Sequence, residues 1–205
     1  MYKLAIASFA FLFVIVSGVS QASSRQPLQV RCNLTEATSP SVRGLRLGMS
    51  AQQLLALFPG STKRREIKDA VEKATAGTGT EATYLGFDPA TDGNGRQFEG
   101  VESILAGVYK GRVVDFSIQY GDATWSTIDE WIAKLSEALK LQSAQYWVVG
   151  PSENPNKILK CDGILIEGAI QGGGSSIRIS NLAYLKEIEE RTKAAEEKKR
   201  RESKP

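Results

Sequence analysis

Arg43 to Gly60 reads RGLRLGMSAQQLLALFPG, and the reading of this stretch decides the fold. Leu45 and Leu47 alternate with Arg46, the pattern of a short strand with one buried face. Gly48 breaks the extended run. Ser50 is a good helix N-cap, with Gln53 three residues on as its capping-box partner. Leu54, Leu55 and Phe58 then fall on one side of a short helix that Pro59-Gly60 stops. The stretch offers no general base and no metal-ligand set. It is scaffold, not chemistry.

Working outward, Arg65 to Ala76 predicts a solvated helix with a thin apolar stripe of Ile67, Ala70, Val71 and Ala74. The Ala/Thr/Gly-rich run from Glu72 to Thr80 is expected to be mobile. Residues 82–87, 101–109 and 112–120 read as strands, the last two joined by a Lys110-Gly111 hairpin turn. Residues 125–141 form the clearest helix. Ser126 or Thr127 caps it, Asp129 and Glu130 favour its N-terminus, and Ile128, Trp131, Ile132, Leu135, Ala138 and Leu139 make its apolar face. Residues 145–149, 158–161, 164–171 and 176–180 are further strands. Gly172-Gly173-Gly174-Ser175 leads into a strand and has no lysine after it, so it reads as a hairpin turn and not a phosphate loop. Helix then strands, twice over, gives an α+β fold with helices packed on an antiparallel sheet, in two helix-plus-strands halves. The chain divides into a leader (1–22), an extended segment (23–42), the α+β domain (43–183) and a charged helical tail (184–205).

The Leu47-Gly48-Met49-Ser50 turn with its following Leu54-Leu55 resembles the LGM(S/T)xxEV signature of small exported bacterial α+β modules. These include the SmpA/OmlA-type outer-membrane assembly lipoproteins and the β-lactamase inhibitory protein. Gln53-Leu54 stands where the signature has Glu-Val, and the lipoproteins' acylated cysteine has no counterpart here. The resemblance implies helices on an antiparallel sheet used for protein binding without catalysis.

Lys3, the apolar run from Leu4 to Val16 and the small-residue site Ser20-Gln21-Ala22 read as a secretory signal peptide cleaved after Ala22. The run is shorter than the roughly 20 residues a membrane-spanning helix needs. The mature chain is thus expected without a transmembrane span, exported to the periplasm or the extracellular space. Two cysteines, Cys32 and Cys161, fit an oxidising compartment, where a structural disulfide is the first reading and two free thiols the second.

Composition excludes more than it assigns. Lys and Arg number 26 against 23 Asp and Glu, interspersed, which gives no electrostatic case for nucleic acid. Histidine is absent, so Ser-His and Cys-His catalysis and histidine zinc sites are out of reach. Asp92-Gly93-Asn94-Gly95 has some oxygens of a calcium loop, but Arg96 takes the next ligand position and Glu99 comes too early, so it reads as a turn. No cofactor and no catalytic or metal residue is assigned. The first functional reading is a non-catalytic exported binding module with another envelope protein as partner, marked by an exposed apolar patch such as one around Tyr146 and Trp147. The second is a small exported hydrolase working with carboxylates such as Asp162 and Glu167. The tail (KEIEERTKAAEEKKRRESKP) reads as a solvated helix laced with i,i+4 ion pairs, its Lys198 to Arg201 end capable of weak contact with anionic surfaces.

Overall fold

Ser50 behaves as its position predicts. In a computed structural model of the chain, which describes residues 32–76, 81–121 and 125–202, its Oγ accepts from Gln53 N at 3.2 Å. Its own N–H donates to Gln53 Oε1 at 2.9 Å, closing the capping box. Helix α1 (Ala51–Leu57) follows, then a 3-10 turn (Pro59–Lys63) and α2 (Arg65–Ala76). Strands β1 (Thr83–Phe87), β2 (Val101–Tyr109) and β3 (Arg112–Tyr120) form a meander. Helix α3 (Ile128–Ala138) leads to a second meander: β4 (Val148–Val149), β5 (Asn156–Lys160), β6 (Ile164–Gln171) and β7 (Gly174–Asn181). Helix α4 (Leu182–Glu202) closes the chain.

Every strand pairing is antiparallel, and the sheet order is β1-β2-β3-β7-β6-β5-β4. The two meanders therefore meet through their last strands, β3 against β7, at the sheet centre. This is the α+β architecture the periodicity predicts, with each half a helix layer followed by its own strands.

Register assigns the faces. Phe87, Ile104, Ile118 and Ile177 lie in one cross-strand row, and Leu85, Ala106, Phe116, Ile179 and Ile166 in another. All are nearly or fully buried in one core with Leu54, Phe58, Ile67, Ile132 and Leu135 of the helices. Gly168 is where α3 comes closest: a Cβ there would sit 2.5 Å from Ile132 Cδ1. The helix axis can approach β6 only because that position has no side chain. At the β2–β3 hairpin, Lys110 and Gly111 both have positive φ (49° and 73°), the pair of left-handed residues a two-residue turn requires. A bulge beside it, between Gly107 and Val108, lets Val113 and Phe116 both reach the core despite an odd spacing.

Cys32 and Cys161 are disulfide-bonded, with Cα atoms 4.5 Å apart. Asp162 N donates to Cys32 O and Gly163 N to Leu34 O, each at 2.9 Å, so the N-terminal segment is tied to the β5–β6 turn.

Several sequence expectations change. Leu45 and Leu47 are buried as alternation requires, but they form no strand. Residues 42–50 make only isolated bridges, Val42 with Leu45 and Ser50 with Arg112, because Arg43, Gly44 and Gly48 take positive φ and keep turning the chain. Glu72 to Ala76 completes α2 and is not a mobile link, while 77–80 lie outside the described residues. Helix α3 is shorter than 125–141. Thr127 is its cap, accepting from Glu130 N at 3.2 Å, and Ala138 faces solvent while Ser136 is buried. The strand expected at 145–149 is a 3-10 turn (Ala144–Tyr146) with two strand residues after it. Helix α4 begins at Leu182, ahead of 184. The leader, 1–22, lies outside the described residues.

Candidate functional site: the uncovered sheet face

The helices α1, α2 and α3 pack on one face of the sheet, and among the described residues the other face has no such layer. Ser152 and Asn154 of the β4–β5 loop border it, and the first turns of α4 reach it at one end. Tyr184 packs there against Tyr109, ring centroids 5.3 Å apart, and its hydroxyl accepts from Ala82 N at 2.9 Å. Tyr109 in turn donates its hydroxyl to Glu187 Oε1 at 3.0 Å.

Across its middle runs one register row, Glu167, Arg178, Ser117, Leu105 and Gly86. Two large apolar side chains stand exposed on the face, Leu105 (45%) and Tyr84 (47%). Between the sheet's centre and its far end lies a groove of about 910 Å³, whose lining includes Arg64, Asp88, Glu102, Leu105, Glu167 and Arg178.

The charges are organised, not scattered. Asp115 is buried on this face and accepts from Arg178 twice, from Nε at 3.0 Å and from Nη2. A buried carboxylate is tolerable when a guanidinium meets it in this two-pronged way. The same hydrogen bonds raise the pKa of Arg178 above its ordinary value, against the opposing effect of burial. Glu167 accepts from Asn156 Nδ2 at 2.6 Å. At the rim, Arg64 donates to Asp92 Oδ2 and Glu66 Oε1, both at 2.8 Å.

Burial raises the pKa of Tyr84, and the nearby Asp115 carboxylate adds to the effect. Burial also raises Tyr120 and Tyr184. A phenol whose folded pKa lies above its unfolded value stabilises the fold below the unfolded pKa, and that contribution is lost as pH climbs through the folded one. We therefore expect stability to decline above about pH 10. Absorbance titration at 295 nm should show part of the tyrosine signal ionising late, together with unfolding. A single transition at the free-tyrosine value with the fold intact would contradict this.

The residues weighed from sequence are distributed differently. Asp92 is buried and its carboxylate braces its own turn, accepting from Arg64 and from Asp88 N at 3.0 Å. Asp162 sits in the bend between β5 and β6, while Glu167 lies within β6, three residues and about 10 Å of strand beyond Ile164. Carboxylate pairs in glycoside hydrolysis work at about 5 to 10 Å. The two acids are not brought together. Trp147 is buried and Tyr146 only half-exposed, so these two rings make no patch; the exposed large apolar residues among the described ones are Tyr84, Leu105 and the edge pair Val148 and Val149. Sequence reasoning missed Tyr84 and Leu105, although both occupy outward positions of their strands' alternation. Compared with protein-family models, curated proteins and solved structures, the chain matches none.

Proposed function

We propose that this chain is an exported, non-catalytic binding module that holds another envelope protein against its uncovered sheet face. The observation that carries the reading is that face itself: a wide antiparallel sheet with one side packed by helices and, among the described residues, no helix layer across the middle of the other. There, Tyr84 and Leu105 stand exposed beside charges already paired. Rigid strands, an apolar contact and pre-oriented charges suit non-covalent recognition. The leader-like N-terminus and the disulfide support a periplasmic or extracellular location. The resemblance of the Leu47 to Leu55 turn to the SmpA/OmlA and β-lactamase-inhibitory-protein modules supports a binding role of this kind.

The test is site-specific photocrosslinking in the source cell. A benzophenone side chain at Leu105 should capture one discrete envelope protein, and the same group at Lys134, on the exposed side of α3, should not. Capture from Lys134 with none from Leu105 would move binding to the helix layer and sink the proposal.

A further inference from the structure

We infer that helix α4 is a detachable strap closed over the aromatic end of the uncovered sheet face, and that its release adds Tyr109 and Val114 to the surface a partner can reach. Alternation puts those two residues there. Val108 and Val113 enter the main core, and the next residue of each strand, Tyr109 and Val114, turns to the other side of the sheet. With Tyr184 they form a cluster of their own, separate from the main core, against which Ala82, Leu185 and Ile188 pack. Tyr184, Leu185 and Ile188 belong to α4, so the helix supplies most of the apolar cover. A satellite cluster of this size can open while the core beneath stays packed.

The rest of the anchorage is polar and reached by water. Glu187 is its hub: it accepts from the Tyr109 hydroxyl at 3.0 Å and from Arg191 Nη2 at 2.5 Å, and Lys110 Nζ lies 3.8 Å away. The side chains of Glu187, Arg191 and Lys110 are each more than a third exposed, and ion pairs in that setting hold an element only weakly. Beyond Ile188, every residue from Glu189 to Glu202 is exposed. There Arg191, Ala195 and Lys199 border a crevice of about 590 Å³ with Glu81. The outer half thus meets the domain across a crevice and not along a packed seam.

The start of the helix is held more firmly and supplies the hinge. Asn181 is buried; its Oδ1 accepts from Tyr184 N at 3.1 Å and its Nδ2 donates to Glu36 Oε2. Leu182 N donates to Gly163 O at 3.0 Å. Release uncovers a continuous strip. Tyr84 lies over Gly107, where a Cβ would sit 3.0 Å from its Cε1, two residues before Tyr109 on β2. With α4 away, Tyr84, Tyr109 and Val114 make one apolar strip beside the Asp115–Arg178 pair. The inference rests on the binding reading for its use: a partner on this face gains the strip only when α4 yields it, so binding and release favour each other.

Hydrogen exchange read by mass spectrometry on the full chain, with its disulfide intact, tests the strap. Amides of Leu185 to Glu189 should exchange about a hundredfold or more faster than those at the centres of β3 and β7, through an opening that leaves the sheet protected. Glu187→Lys adds a cation beside Lys110 and Arg191. It should speed exchange of those helix amides about tenfold, leave β3 and β7 unchanged, and raise binding of the dye ANS, which reports exposed apolar surface. Tyr184→Ala removes the ring from Tyr109 and should act in the same direction by another route. Helix amides that exchange only at the rate of β3 and β7 would overturn the inference, and so would faster exchange in Glu187→Lys without added dye binding. Photocrosslinking separates the strap from the binding reading. Capture at Leu105 should rise in Glu187→Lys; equal capture by both chains, with the helix released in one, would show that α4 withholds nothing and would also overturn the inference. No capture by either chain would sink the binding reading alone, and the strap would stand or fall on exchange and dye binding.

Discussion

Opening the Cys32–Cys161 bond is expected to lower the melting temperature by about 10 to 20 °C. The bond closes a separation of 129 residues, and at that loop length the chain-entropy relation gives about 5 kcal/mol of stabilisation. Whole domains are stable by only about 5 to 15 kcal/mol, so this is a large share. In a domain of this size each kcal/mol moves the midpoint by about 2 to 4 °C. The measurement is thermal unfolding followed by circular dichroism, with and without reductant, on the natural chain and on Cys32→Ala/Cys161→Ala. The double variant should melt where the reduced natural chain melts and should ignore reductant. Equal midpoints for oxidised and reduced natural chain would show that the bond contributes little. The backbone contacts from Cys32 and Leu34 to the β5–β6 turn would then suffice to hold the N-terminal segment.

Phe58→Ala should cost about 3 to 5 kcal/mol, the range for truncating a fully buried aromatic. Phe58 has no exposed surface and its ring lies between Phe87 and Phe98, with centroids 4.2 and 4.9 Å away. It ends α1 and joins three separate pieces of chain: the Arg43 to Gly60 stretch, strand β1 and the loop before β2. Losing the ring leaves a cavity that two rigid neighbours cannot refill. Urea unfolding checks it through the midpoint at unchanged slope. Phe58→Leu, which keeps most of the volume, should recover more than half of the loss. A cost below about 1 kcal/mol for Phe58→Ala would mean that the site collapses around the gap. The opening stretch would then be less central to the fold than its burial implies.

Local rules carried much of this protein. The capping box at Ser50 and Gln53, the Lys110-Gly111 turn and strands β2, β3 and β6 depend on neighbours within a few residues, so they could be read in order along the chain. The same holds for the polar helix over Arg65 to Ala76, whose thin stripe is enough to set its period. The failures come from backbone conformation and strand pairing that side-chain pattern does not report. Leu45 and Leu47 are buried at strand spacing, but backbone turning at Arg43, Gly44 and Gly48 forbids a strand, and period two is only a burial pattern. Residues 144–149 carry strand-like residues at the sheet's edge, where pairing on one side alone supports just Val148 and Val149.

Composition and spacing alone established an α+β chain without histidine chemistry and with one pair of cysteines to join. The tertiary structure decided everything about the candidate site. Tyr84 and Leu105, Asp115 and Arg178, and the carboxylates of the groove come from five strands and the turn after β1, spread over more than eighty residues. Their meeting depends on β3 lying beside β7, a pairing that no local pattern encodes. Which face the helices cover follows from the summed burial of both halves.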